Sequence, residues 1–198
     1  MKKYVFLFLM IMLGYHASSY AQAVDDRAVI PVAVTLNSIL RLNVKSGGNI
    51  EFNFNTLHQY SNGIVNSPEY DTKIEVASSV DWRLKMGAED QALLNTVDTT
   101  AASGRTMPLG FIGYTVADDG GTGTSSFTTS LTPLDEIGND VYIIENSSGN
   151  AGGPQDNAFT IHWECATGGN ILGPLLGENY SGGRYATNVF FILENDPT

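Results

Sequence analysis

The chain has 198 residues, with 21 Asp and Glu against 10 Lys and Arg, a net charge of −11 and a single Cys. Such acidity argues against binding nucleic acid through its phosphates and against docking on anionic lipid, and one Cys excludes an intrachain disulfide. The 21 Gly cluster in loops between short period-two apolar segments, which is the pattern of an all-β sandwich or barrel.

Lys2 and Lys3 precede an apolar run over residues 4–14, and a polar stretch then ends in Ala21-Gln22-Ala23. That order is the pattern of a secretory signal with a small-x-small cleavage site. Residues 1–23 are therefore expected to be a signal peptide and 24–198 one exported domain, in the periplasm, at the cell surface or outside the cell. No later apolar run has the length of a membrane helix, so no membrane insertion is expected once the signal is removed.

The first predicted strand has Ile30, Val32, Val34 and Leu36 on one face, with Pro31 pointing to an edge position. Leu40, Leu42 and Val44 follow, then Ser46-Gly47-Gly48-Asn49, then Ile50, Phe52 and Phe54. This reads as a hairpin with a Gly-rich turn. A second hairpin is expected where Tyr70, Thr72, Ile74 and Val76 lead through Ser78-Ser79 to Val80, Trp82, Leu84 and Met86. Trp82, Trp163, Leu84, Ile161, Val189 and Phe191 are expected to be buried together.

Residues 88–95 are read as a short helix, residues 98–106 as a polar loop and residues 109–116 as a bulged strand containing Gly110 and Gly113. Short strands are expected at 127–131 and 141–145, followed by a loop of disordered composition to Asp156. Residues 158–165 form a core strand with Phe159, Ile161, Trp163 and Cys165 inward. His162 then falls on the opposite face, away from Cys165. The last segment, 184–194, is apolar on both faces, as in a central or covered strand. The whole is expected to be an antiparallel immunoglobulin-like β-sandwich of about seven to nine strands.

No Walker loop, dinucleotide fingerprint, HExxH, CxxC or GxSxG occurs in the chain. No catalytic, cofactor-binding or metal residue is assigned, and the protein is expected not to be an enzyme. Asp118-Asp119-Gly120-Gly121 lacks the alternating acids of an EF-hand loop and reads as a turn. Tyr60, Tyr114, Tyr142 and Tyr180 are the candidates for a sugar-binding platform. Asp98-Thr99-Thr100 resembles the O-glycan acceptor of some exported Gram-negative proteins, which makes Thr99 a modification candidate.

Two stretches carry a family resemblance. Lys73-Ile74-Glu75-Val76-Ala77-Ser78-Ser79-Val80-Asp81-Trp82-Arg83-Leu84 is a strand, a turn and a strand with a Trp just past the turn. Tyr180-Ser181-Gly182-Gly183-Arg184-Tyr185 runs into an alternating closing strand. Together they resemble pilin-like bacterial surface domains, including the spore coat protein U-like group. The segment ending at Leu36 sits where such proteins carry an extended N-terminal strand. The chain departs from that pattern in having only Cys165 and a longer insert over residues 87–106.

The resemblance implies a non-enzymatic structural or adhesive surface subunit, fimbria-like, whose partners are other protein subunits or itself. Ile30, Val32, Val34 and Leu36 are the strand-exchange candidates. The alternative is a stand-alone secreted carbohydrate-binding sandwich.

Overall fold

Period-two alternation sends every second side chain to one face of a strand, and a sandwich forms when two such faces bury each other. The computed structural model describes residues 30–97, 106–120 and 125–196. The expected signal peptide and Thr99 lie outside the described residues. Strand accounts for 43% and helix for 10%, so the fold is all-β.

In chain order the elements are β1 (Leu40–Ser46), α1 (Leu57–Asn62), β2 (Asp71–Ser78), β3 (Trp82–Ala88), β4 (Ala92–Asn95), β5 (Thr106–Pro108), β6 (Ile112–Asp118), β7 (Ser125–Phe127), β8 (Thr132–Pro133), β9 (Tyr142–Asn146), β10 (Ala158–Cys165), β11 (Tyr185–Ala186) and β12 (Val189–Asn195). They form antiparallel sheets ordered β1-β2-β10-β6-β8, β12-β3-β9-β7 and β11-β4-β5. The strand number exceeds the expected seven to nine because β5, β7, β8 and β11 are only two or three residues long. Pieces that short show no periodicity in a sequence.

The inward faces of β2, β6 and β10 bury Ile74, Val76, Val116, Phe159, Ile161, Trp163 and Cys165, and those of β3 and β9 bury Trp82, Leu84, Met86 and Ile144. Each large apolar side chain so buried contributes about 1.5–3 kcal/mol. Trp82, Leu84, Ile161 and Trp163 are therefore core residues, as expected. Val189 and Phe191 are only partly buried against that core. β12 is an edge strand, and its outer residues Phe190 and Ile192 are 45% and 40% exposed. The expectation of a strand covered on both faces fails because nothing in the described residues packs on that outer side.

Both expected hairpins are corrected. β1 pairs with β2, from Leu40 opposite Ser78 to Val44 opposite Ile74, and not with residues 50–54. The cause lies at Gly47, which has φ +69° and lies so close to β2 that a Cβ there would sit 1.9 Å from the Asp71 carbonyl oxygen. The Thr72 hydroxyl donates to the Gly47 carbonyl at 2.7 Å. The chain after Gly47 is thus held against the start of β2 and does not fold back on β1. β2 and β3 also do not pair, since they belong to opposite sheets. Residues 79–81 are a corner of the sandwich, because Ile74 and Trp82 must reach one core from opposite sides.

Three smaller expectations also change. Residues 92–95 form strand β4 and not a helix, with Leu93 and Asn95 buried and Leu94 exposed. The expected bulged strand at 109–116 begins with a 3-10 turn, Leu109–Phe111, ahead of β6. Helix α1 was not expected at all. A capping box starts it, in which Gln59 N–H donates to the Thr56 hydroxyl at 3.2 Å and Thr56 N–H donates to Gln59 Oε1 at 3.0 Å.

Residues 30–36 carry no strand. Their apolar side chains are nearly fully exposed: Ile30 81%, Val32 85%, Val34 79% and Leu36 89%. The chain divides into two units after Leu36, and the sandwich belongs to the second.

Candidate functional site

Beyond Gly47 the chain keeps its alternation without gaining a ladder. Ile50, Phe52 and Phe54 pack against the core while Glu51, Asn53 and Asn55 face out. The Phe52 ring lies 4.6 Å from Tyr70, and Phe54 meets Tyr60 of α1 edge-on at 5.4 Å. Among the described residues, the backbone of residues 48–54 has no backbone hydrogen-bond partner. An extended segment whose N–H and C=O groups lack backbone partners is a template for an added strand.

Facing it are Tyr180, Arg184, β11 and the start of β12. Tyr180 stacks edge-on with Phe111 at 5.7 Å and Tyr185 at 6.1 Å. Between the two walls runs a groove of about 780 Å³, with Trp163 and Cys165 among the core residues at its base and Val44, Val189 and Phe191 along its sides. β1 and β12, the strands that contribute these side residues, are both sheet edges. The Arg184 guanidinium donates to Glu51 Oε1 at 3.3 Å across the opening. These side chains are 52% and 48% exposed, so the pair is a solvent-screened contact worth at most about 1 kcal/mol.

Burial pushes the Cys165 thiol up to about 12. A thiol without thiolate does not attack, so Cys165 is an inert core residue at the groove's base. The side chain should resist disulfide reagents at pH 8 in the native chain and react once urea unfolds it; full labelling of native protein contradicts this placement. His162 lies on the other face, where its Nδ1 is 2.6 Å from Asp71 Oδ1.

The structure separates the four candidate tyrosines. Tyr60 and Tyr180 line the groove, whereas Tyr114 is 1% exposed and is a core residue. Tyr142 lies on the outer side of the four-stranded sheet with the Arg83 guanidinium 4.4 Å above its ring. Asp118 and Asp119 serve their turn: the Gly120 N–H donates to Asp118 Oδ1 at 2.9 Å and the Thr160 hydroxyl donates to Asp119. Among the described residues, no three His, Cys, Asp or Glu side chains gather to hold a metal.

Tyr142 belongs to a second polar cluster. Its hydroxyl donates to Glu194 Oε2 at 3.0 Å, and Arg83 Nη2 reaches the same oxygen at 3.1 Å. The Tyr142 hydrogen bond, followed by Arg83 and Lys85, holds the Glu194 carboxyl below the usual range despite some desolvation. A lowered carboxyl stabilises the fold fully above the ordinary glutamate range, and that contribution is lost as pH falls through the lowered value. Glu194→Gln should therefore shrink the difference in urea midpoint between pH 6 and pH 3. An unchanged difference contradicts the assignment.

The groove wall at residues 48–54 is hard to recognise in the sequence because its alternation is also that of a hairpin arm. The Thr56-x-x-Gln59 capping box was the available signal that an isolated extended segment ends there. Compared with known proteins, the chain matches no family model and no curated relative.

Proposed function

We propose that this protein is an exported, non-enzymatic structural or adhesive surface subunit that joins other protein chains by adding residues 30–36 as a β-strand to a sheet edge. One observation carries the reading: Ile30, Val32, Val34 and Leu36 sit at strand spacing, and all are 79% exposed or more. Ordering a residue costs about 1–2 kcal/mol, while burying one such side chain returns about 1.5–3 kcal/mol. With only every second residue buried, these terms nearly cancel, so the segment orders only where main-chain hydrogen bonds add to burial. Strand addition to an open edge supplies both. The leader-like pattern over residues 1–23 supports export.

A photo-crosslinking side chain at position 34, in the chain produced by its native cell, should yield adducts with another protein subunit. The same probe at Lys73, exposed on β2, should not. Absence of adducts at position 34 overturns strand donation.

The sugar-binding alternative is favoured by Tyr60, which is 39% exposed and lines the groove with Asn53 and Asn55. A tyrosine face flanked by amides is a fitting surface for a sugar ring. Glycan-dependent quenching of Trp163 fluorescence, abolished in Tyr60→Ala, would favour it over strand donation.

A further inference from the structure

We infer that residues 48–54 are a strap over the groove, which lifts as a unit and bares the groove floor at Trp163 while both sheets stay folded. Strand donation by residues 30–36 neither requires nor excludes this motion.

Both ends of the strap are fixed. At the front, the Trp163 indole N–H donates to the Thr72 hydroxyl at 3.0 Å, and that hydroxyl donates to the Gly47 carbonyl at 2.7 Å. The strap's first anchor is thus tied through β2 to the groove floor itself. At the rear, the Asn55 and Thr56 N–H groups both donate to Gln59 Oε1, at 2.8 and 3.0 Å. That amide fastens the strap to the first turn of α1.

Between those ends the backbone adds nothing. Among the described residues, residues 48–54 make no backbone ladder with either wall. Segments that lack a ladder and bury little open at the low end of a protein's local stabilities. Side chains alone hold the strap down. Phe52 packs on Tyr70 at 4.6 Å and Phe54 on Tyr60 at 5.4 Å, and neither phenylalanine is fully buried. Glu51 accepts from the Arg184 guanidinium on the opposite wall at 3.3 Å. Both partners are about half exposed, so this latch is screened by solvent and weak.

The pivot lies at the front. Gly47 is wedged against β2, since a Cβ there would sit 1.9 Å from the Asp71 carbonyl oxygen. Gly48 is the reverse, because a Cβ there would meet nothing within 4 Å. A glycine backbone turns at little steric cost. The hydrogen-bonded relay therefore holds Gly47 while Gly48 is free to turn. With the strap down, Trp163 is 5% exposed at the base of the groove. Lifting Phe52 and Phe54 takes away the wall beside it, so the strap gates access to the floor.

Native-state proteolysis of the mature chain with chymotrypsin tests this. The protease cuts after aromatic residues, and it accepts Phe52 or Phe54 only once the ring has left the core. Initial rates of cutting at these two residues, read by intact mass at urea concentrations below the unfolding transition, follow the population of the lifted form. The cuts should occur in native protein at a rate that barely changes with urea. A short strap exposes little surface, and the urea slope scales with the surface exposed. Glu51→Gln removes the latch and should speed the cuts by up to about fivefold. Tyr60→Ala removes the partner of Phe54 and should speed them by up to about tenfold. Neither change should steepen the dependence on urea.

Cuts that climb with urea as steeply as global unfolding, or that appear only together with cuts inside β2 and β10, show strap and sandwich opening together and overturn the inference. Native protein with no cut at either residue overturns it too. So does cutting that neither variant speeds, since the strap would then be cleaved without lifting.

Discussion

Trp82→Ala should lower the unfolding free energy by about 3–5 kcal/mol, the range for truncating a large aromatic side chain in a core. Trp82 is 1% exposed and stands at the start of β3, where the chain has just crossed from one sheet to the other. Its indole N–H donates to the Asn150 carbonyl at 2.9 Å. Truncation opens a cavity between the sheets and leaves that carbonyl without its donor. Urea unfolding at neutral pH measures the loss directly. A change under about 1 kcal/mol contradicts the packing described, because cavity creation in a core is among the few routes to a large loss.

Asn150→Ala should cost about 2–5 kcal/mol, the sum expected when buried partners are left unsatisfied. Asn150 is 1% exposed. Its Oδ1 accepts from the Trp82 N–H at 2.8 Å, and its Nδ2 donates to the Trp82 carbonyl at 2.8 Å and to the Ser125 hydroxyl at 2.9 Å. One amide thus does for the backbone of Trp82 what a neighbouring strand does elsewhere in the sheet. Asn150→Asp keeps the acceptor, loses the donor and buries a charge, and should be at least as destabilising near pH 7. A loss within about 0.5 kcal/mol for Asn150→Ala, the usual range for surface changes, contradicts this role.

Asn150 also marks where sequence reasoning ends. The run Ser147-Ser148-Gly149-Asn150-Ala151-Gly152-Gly153 has the composition of a disordered loop. In the fold it is tied down by Asn150 and by a two-way backbone bridge between Gly152 and Ser78 at 2.8 and 3.0 Å. Nothing local distinguishes an Asn that solvates a loop from one that reads a strand 68 residues away.

β3 and β10 were legible because each has one apolar and one polar face. Their positions follow from period two alone. Pairing was less legible. Whether β2 and β3 close a hairpin or turn a sandwich corner depends on which side of the core each faces, and the same alternation serves both. At β1 the outcome turned on Gly47, whose left-handed backbone and contact with Asp71 become visible only with β2 in place.

The candidate added strand is likewise written in the alternation of Ile30 to Leu36. The groove wall was hidden, since Ile50, Phe52 and Phe54 look like any hairpin arm until β1 is found paired with β2. β12 misled for a related reason. Phe190 and Ile192 suggested a covered strand, yet they lie on the exposed side of a sheet edge.

Amide hydrogen exchange of Val32 to Leu36, followed as a function of protein concentration and salt, tests strand addition most directly. Free, exposed backbone amides exchange quickly, whereas ladder amides are protected by the stability of the contact. Fast exchange is expected in dilute protein, with protection that appears together with assembly. Fast exchange of Val32 to Leu36 in the assembled state would show that the segment is not an added strand.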